Sequence, residues 1–209
     1  MIRVFVTDDH AIITDGLAKI IEAEEDMTVV GTATNSEDVY TFFASNKCDI
    51  LILDISMPGK TGLEVLHDMV KDYPKIKVLI YSMHPTERYA MRSLRIGAFG
   101  YITKNSPVTE IIRAIRTAYA GNKYLPEDVA NKLIFGIDAD NDAPEKILSN
   151  REFQVFLKLS AGKTVTEASD ELSLSHSTIN TYRTRILEKM GLHSNAEMIY
   201  YAIQNNLVE

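Results

Sequence analysis

Ile50-Leu51-Ile52-Leu53-Asp54-Ile55-Ser56-Met57-Pro58-Gly59 decides the fold. A short, unbroken apolar run fits a strand buried on both faces, and its closing aspartate and Pro-Gly turn the chain away. Such strands belong to parallel sheets flanked by helices, so the pattern should recur on either side. Residues 2–7, 28–33, 49–54, 77–82 and 99–103 read as strands, each followed by helical spacing. Ile12, Ile13, Leu17, Ile20 and Ile21 follow the first. Ser36 offers an N-cap before Val39, Phe42 and Phe43. Ser106-Pro107 reads as a cap with proline at the first helical position, before Val108, Ile111, Ile112, Ile115 and Tyr119 on one face. Five strand-helix units predict an α/β doubly wound, five-stranded parallel sheet over residues 1–120, with right-handed crossovers.

A chain of 209 residues suits two domains, since compact domains commonly run about 100 to 150 residues. An apolar fraction of 45% and a charged fraction of 24% are those of globular proteins that bury a core. No run approaches the ~20 apolar residues of a membrane span, and the N-terminus lacks the apolar region of a signal peptide. Cys48 is the only cysteine, which excludes an internal disulfide and a cysteine-ligated zinc site. A cytoplasmic protein without membrane contact is expected. The net charge of -7 argues against a broadly basic nucleic-acid binder. Residues 148–209 are nearly neutral, so any DNA-binding face there depends on local clustering.

Residues 121–147 read as a linker, with a short helix from Pro126 toward Phe135 and then an acidic, turn-rich stretch. Ten flexible residues, 137–146, would reach at most about 33 to 36 Å. From Leu148 the period is helical. Ser149 with Glu152, Thr164 with Glu167 and Ser194 with Glu197 form potential capping boxes, and Gly162 and Gly191 fit helix C-termini. A small all-α domain of four helices over residues 148–209 follows. The turn Ser173-Leu174-Ser175 between its second and third helices has helix-turn-helix spacing. On the third helix Ile179, Ile186, Leu187 and Met190 define a buried face. Asn180, Thr181, Arg183 and Thr184 lie opposite, where such side chains can read base edges and bind phosphates, although a solvated face has the same composition. In the last helix Met198, Ile199 and Tyr201 are candidates for a dimer surface, with packing into the domain's own core as the alternative.

All strands of a parallel sheet end on one edge, where ligands bind. Asp8 and Asp9 follow the first strand, Asp54 ends the third, Ser82 ends the fourth, and Lys104 follows the fifth. An aspartate at one strand end is more often a helix cap than a ligand, but the five residues together form an acidic pocket with one cation. Three close carboxylates repel unless they protonate or hold a cation. Mg²⁺, a hard ion that takes oxygen ligands, suits them. The arrangement fits phosphoryl transfer, with Asp54 as the nucleophile forming an acyl phosphate and Lys104 and Ser82 contacting phosphoryl oxygens.

Asp8-Asp9, residues 50–54 with Met57-Pro58-Gly59, Ser82 and Tyr101-Ile102-Thr103-Lys104 resemble the receiver domains of two-component response regulators, across residues 1–120. The resemblance implies a flavodoxin-like fold and transfer of phosphate from a sensor histidine kinase to Asp54. It also implies that Asp9, Asp54 and the Ser56 carbonyl bind Mg²⁺, with Asp8 helping through water. Ser82 and Tyr101 fall on switch positions, where Tyr101 turns inward as Ser82 moves toward the new anion; a plain edge-strand aromatic is the other reading of Tyr101. Met83 stands where many receivers have a small residue, so slow hydrolysis of the acyl phosphate is expected.

Residues 148–208 resemble the LuxR-type helix-turn-helix domain through Leu148-Ser149-Asn150-Arg151-Glu152, Ala161-Gly162, Thr178-Ile179, Lys189-Met190-Gly191-Leu192 and Asn206-Leu207. Thr178, Arg185 and Lys189 then join the DNA-contacting set. Asn180 and Tyr182 depart from the common lysine and histidine, which leaves the preferred DNA sequence unreadable. Pairing of the last helices would set two recognition helices about 34 to 36 Å apart. The whole architecture resembles the NarL/FixJ subfamily: phosphorylation promotes a homodimer that binds promoter double-stranded DNA, with RNA polymerase as a further candidate partner. Two other readings are a phosphorylation-independent DNA-binding regulator and an aspartate-nucleophile phosphohydrolase, although no cap domain for the latter is evident.

Overall fold

The apolar run at 50–53 forms the central strand of a sheet, and each of its four residues is 0% exposed. The computed structural model describes residues 1–83, 87–126, 130, 147–205 and 207–208. Its first part alternates β1 (Ile2–Thr7), α1 (Ala11–Glu22), β2 (Met27–Ala33), α2 (Ser36–Ser45), β3 (Ile50–Leu53), α3 (Gly62–Asp72), β4 (Lys77–Ser82), α4 (Glu87–Ile96), β5 (Gly100–Thr103) and α5 (Val108–Tyr119). The sheet order is β2-β1-β3-β4-β5, with every pair parallel. The five predicted strands are all present, with ends shifted by no more than a residue, the usual spread of such boundaries. Leu17 and Ile21 of α1 and Ile111, Ile112 and Ile115 of α5 cover one face of the sheet, against Val4, Val6, Ile50 and Ile52. On the other face Phe5 stacks on Phe42 of α2 at 4.1 Å and meets Phe43 edge-on.

Two helix starts differ from expectation. Asn35, not Ser36, caps α2, accepting from the Asp38 N–H at 2.9 Å. Ser36 is thereby the first helical residue and its hydroxyl faces elsewhere. Helix α5 begins at Val108 after Pro107, with no side-chain cap, because the Ser106 hydroxyl is bonded to that of Thr103 at 2.9 Å. A third difference concerns the predicted linker. Tyr124 is buried and continues the sheet: its N–H donates to the Phe99 carbonyl at 2.8 Å, and its own carbonyl accepts from Tyr101 N–H at 3.4 Å. Residues 121–124 thus run back onto β5. The predicted short helix toward Phe135 and the flexible stretch 137–146 lie outside the described residues.

The chain divides into two compact units, Met1–Ile137 and Asp138–Glu209. The second contains α6 (Asn150–Ser160), α7 (Val165–Leu172), α8 (His176–Met190) and α9 (Asn195–Gln204). Ser149 with Glu152 and Thr164 with Glu167 form complete capping boxes. At α9 the Ser194 hydroxyl accepts from Glu197 N–H, but the Glu197 carboxylate takes the His193 N–H instead of closing the box. Gly191 caps α8 in the left-handed conformation, with φ 65°, and Gly162 follows α6 with φ 81°. Phe153, Phe156, Leu159, Ile179, Ile186 and Met198 are buried in this unit. Met198 is 0% exposed, which corrects its assignment to a dimer surface: it fills the domain's own core.

Gly62 shows how tightly the first unit is built around its central strand. A Cβ at this first residue of α3 would lie 2.1 Å from the Asp54 carbonyl oxygen and 2.6 Å from Ile55 Cα. The Gly62 N–H also donates to the Ile55 carbonyl at 3.0 Å, so the helix starts directly beneath the aspartate. Gly62→Ala should destabilise the first unit by roughly 1 to 3 kcal/mol, as forced overpacking does, measured as a lowered urea midpoint.

Candidate functional site

Parallel pairing sets the carboxyl ends of the strands side by side. Thr7 pairs with Leu53, so Asp8 and Asp54, each one residue further on, emerge together. Ser82 pairs with Thr103, which brings in Lys104. The backbone secures these positions: Asp8 N–H donates to the Ala33 carbonyl at 3.1 Å, Asp54 N–H to Thr7 at 3.3 Å, and Lys104 N–H to Ser82 at 2.8 Å.

Asp8 and Asp54 are 0% and 1% exposed. The Lys104 ammonium lies 2.5 Å from Asp8 Oδ2 and 3.1 Å from Asp54 Oδ2, bridging both carboxylates, with the Tyr81 ring 6.0 Å away. Burial pushes the Asp54 carboxyl up to about 6; Lys104 pulls it back, Asp8 pushes it further up, and the nearby Ser56 backbone N–H lowers it slightly. For Lys104, burial works against the charged form, yet Asp54 and Asp8 more than reverse this and hold the ammonium above its ordinary value. The pocket therefore keeps a cation at its floor and a basic carboxylate at the end of β3.

Asp9 lies nearer the surface, and His10, which composition and spacing did not single out, stands beside it. His10 Nδ1 is 2.6 Å from Asp9 Oδ1, while its backbone N–H donates to Asp8 Oδ1 at 3.0 Å. The hydrogen bond to Asp9 raises the imidazole's affinity for a proton. Its signal in the sequence was its place directly after the aspartate pair.

The donor set suits a hard divalent cation. Apart from the Lys104 ammonium, the buried atoms Asp8 Oδ2 and Asp54 Oδ2 have no hydrogen-bond partner among the described residues. One ligand atom from each of Asp8, Asp9 and His10 lies within 4.8 Å of the others. Oxygen donors with spare lone pairs at the mouth of a negative pocket are what such an ion takes.

Tyr101, on a switch position by resemblance, is turned inward: it is 1% exposed, and its hydroxyl is hydrogen-bonded to the Ser82 side chain. Met83 is 59% exposed at the end of β4.

In the second unit a left-handed residue, Ser173 with φ 51°, separates α7 from α8, and the Ser175 hydroxyl caps α8 by accepting from Thr178 N–H. Asn180, Thr181, Thr184 and Arg185 are exposed along α8, with Thr178 half-buried. Two expected DNA contacts have partners within the domain. Arg183 Nε donates to Asn195 Oδ1 at 2.5 Å, tying α8 to the start of α9. Lys189 Nζ is 2.6 Å from Glu152 Oε2. Burial would raise Glu152, but Lys189 and the Ser149 cap outweigh it and hold the carboxyl below its usual value. On α9 the outward apolar residues are Tyr200 and Ile203, while Ile199 and Tyr201 are half-buried and Tyr201 meets Phe156 edge-on.

A parallel α/β unit with an aspartate pair, a strand-end aspartate and a lysine on one edge, followed by a four-helix unit containing a helix-turn-helix, defines a response regulator. The response regulator receiver domain family matches residues 4–116, and the LuxR family of bacterial regulatory proteins matches residues 146–202. Response regulator UvrY of Escherichia coli is 32% identical over 99% of this chain and 96% of its own length. The oxygen regulatory protein NreC of Staphylococcus carnosus is 34% identical over 99% of both chains. Among solved structures, response regulator ChrA of a heme-sensing two-component system superposes with a TM-score of 0.53 at 28% identity, covering 99% of this chain and 98% of that one. RcsB of Salmonella typhimurium gives 0.61 at 25%, over 96% and 97%. The chain belongs to the NarL/FixJ-type two-component response regulators. It is a DNA-binding transcriptional regulator rather than a classical enzyme.

Removing the bridging cation should expose how much the pocket depends on it. Lys104→Met leaves two buried carboxylates without their counter-charge, and the expected loss is about 3 to 5 kcal/mol in urea unfolding of the first unit at neutral pH. A loss under about 1 kcal/mol, the scale of a surface pair, would contradict that assignment.

Proposed function

We propose that Asp54 accepts a phosphoryl group from a sensor histidine kinase, and that this shifts the chain toward a homodimer binding promoter DNA. The observation that carries the reading is the Lys104 ammonium bridging buried Asp8 and Asp54. Asp54 Oδ attacks phosphorus, the phosphorus–nitrogen bond of the donor phosphohistidine breaks, and the imidazole leaves with that electron pair. The Lys104 ammonium is placed to hold a phosphoryl oxygen, and the Ser82 hydroxyl to donate to another. Asp9, Asp54 and the Ser56 carbonyl, with Asp8 behind them, would hold Mg²⁺, which when bound supplies positive charge to the transferring oxygens. The Ser82–Tyr101 hydrogen bond gives the switch a physical path, since a phosphoryl oxygen competes with Tyr101 for the Ser82 hydroxyl. A hydroxyl pulled toward the anion alters the environment of Tyr101 and the outer part of β5.

The receiver reading covers residues 1–120, extended by the strand-like return to Tyr124; residues up to 147 form the linker, and 148–209 bind DNA. Asn180, Thr181, Thr184 and Arg185 are the primary contacts on α8, with Thr178 near its start. Arg183 and Lys189 already hold partners within the domain, Asn195 and Glu152, and would offer phosphate their remaining N–H donors. Tyr200 and Ile203 replace Met198 as the outward part of the dimer helix, beside Ile199 and Tyr201. The described helices include none long and apolar enough to cross a membrane. A cytoplasmic location follows from the reading itself, because both kinase-derived phosphate and chromosomal DNA are met there; RNA polymerase is the further partner of a promoter-bound dimer.

Treatment with acetyl phosphate and Mg²⁺ should add one phosphoryl mass to the intact chain, mapping to Asp54 and absent from Asp54→Asn. An adduct on another residue, or none even with phosphorylated kinase, would overturn the acceptor assignment. On the DNA side, Arg185→Ala should weaken binding across sequences and reduce the slope of log affinity against log salt by about 1, the signature of a lost phosphate contact. An unchanged slope would remove Arg185 from the interface.

A further inference from the structure

We infer that Ser36, the first residue of α2, is a positioning residue for the loop that carries Ser56, and that it sets the site's affinity for a divalent cation. The inference rests on the phosphoacceptor reading given above. Ser36 is 2% exposed, and because Asn35 caps α2, its hydroxyl is released from helix capping. It grips the 55–61 loop in both directions. The Ser36 N–H donates to the Pro58 carbonyl at 3.3 Å, and the Ser36 hydroxyl accepts from the Lys60 N–H at 2.8 Å. Gly59 between them has φ 86°, and a Cβ there would meet the Ser36 oxygen at 2.4 Å, so the loop folds closely around this side chain.

The consequence runs back to the acid pocket. Two residues before Pro58, the Ser56 backbone N–H is close enough to Asp54 to lower its carboxyl's affinity for a proton, and the Ser56 carbonyl is the candidate cation ligand. The far end of the loop is fixed separately, by the capping box of Thr61 with Glu64 and by the packing of Gly62 against Asp54. Its middle is tied to α2 through Ser36. The Lys60 side chain also joins Asp68 at 2.7 Å, with Tyr40 on the same carboxylate at 2.6 Å, but that contact is on the surface and reaches the loop only through a flexible side chain. Outer-shell partners of this kind orient the groups that bind a metal, and losing one typically weakens affinity on the order of tenfold or more.

The test uses the full chain and three readouts: Mg²⁺ titration, amide hydrogen exchange in the absence of metal, and the thermal midpoint. Ser36→Ala should weaken Mg²⁺ binding on the order of tenfold and speed exchange at Ser56 and Lys60, whereas Asp68→Ala, which cuts the surface contact, should leave both as in the wild type. A residue that merely supports the fold would lower the midpoint of Ser36→Ala and leave Mg²⁺ affinity and Ser56 exchange unchanged, and that result overturns the inference. Exchange at the Lys60 amide of the wild type at the rate of an unprotected amide would overturn it independently of any variant. If the wild type binds no Mg²⁺, the phosphoacceptor reading fails instead, and the positioning claim is decided by metal-free exchange at Ser56 in Ser36→Ala.

Discussion

One ammonium group shared between two buried carboxylates is the constraint around which the first domain is arranged. Burying Asp8 and Asp54 side by side costs several kcal/mol per charge without a partner, and Lys104 offsets that cost at 2.5 and 3.1 Å. The arrangement requires three strands to end at the same level, which only parallel pairing of β1, β3, β4 and β5 in register achieves. It also requires a helix to start directly under Asp54, which Gly62 alone permits. The pocket thus sets two carboxylates against one ammonium, a donor set that suits a hard divalent cation.

From that pocket two physical routes lead outward. One passes through Ser82 to Tyr101, whose hydroxyl bonds to Ser82 and whose backbone N–H bonds to Tyr124. A change at the acid pocket is thereby one hydrogen bond from β5 and two from the segment through which the chain leaves the sheet. The other route passes through Ser56 and the 55–61 loop to Ser36 on α2. In the second domain the recognition helix is held by its neighbours, with Arg183 on Asn195 and Lys189 on Glu152. Its exposed polar row is therefore presented on a fixed scaffold.

Much of this was legible in the sequence because periodicity and strand-end chemistry are local signals. The run 50–53 announced a doubly buried strand, Asp8 and Lys104 each followed an expected strand, and Asp54 closed one. What escaped depended on competition between groups. Ser36 has the chemistry of a cap, but Asn35 took that role and freed Ser36 for the loop. Met198 has the chemistry of an exposed apolar anchor, but its neighbours on α9 left it facing the core while Tyr200 and Ile203 turned outward. Tyr124 carried no strand signal, since a single parallel bridge leaves no alternation to read. His10 was hidden because one histidine gives no pattern by itself.

On the proposed mechanism, chemistry at Asp54 governs DNA binding by the other domain. The most direct measurement is the affinity of the full chain for double-stranded fragments of its own genome, at fixed salt, with and without phosphoryl donor, in wild type and Asp54→Asn. A donor-dependent rise in wild-type affinity that is absent from Asp54→Asn is the predicted result. Equal affinity in all four conditions would contradict the account, and would assign DNA binding to a regulator that works without phosphate.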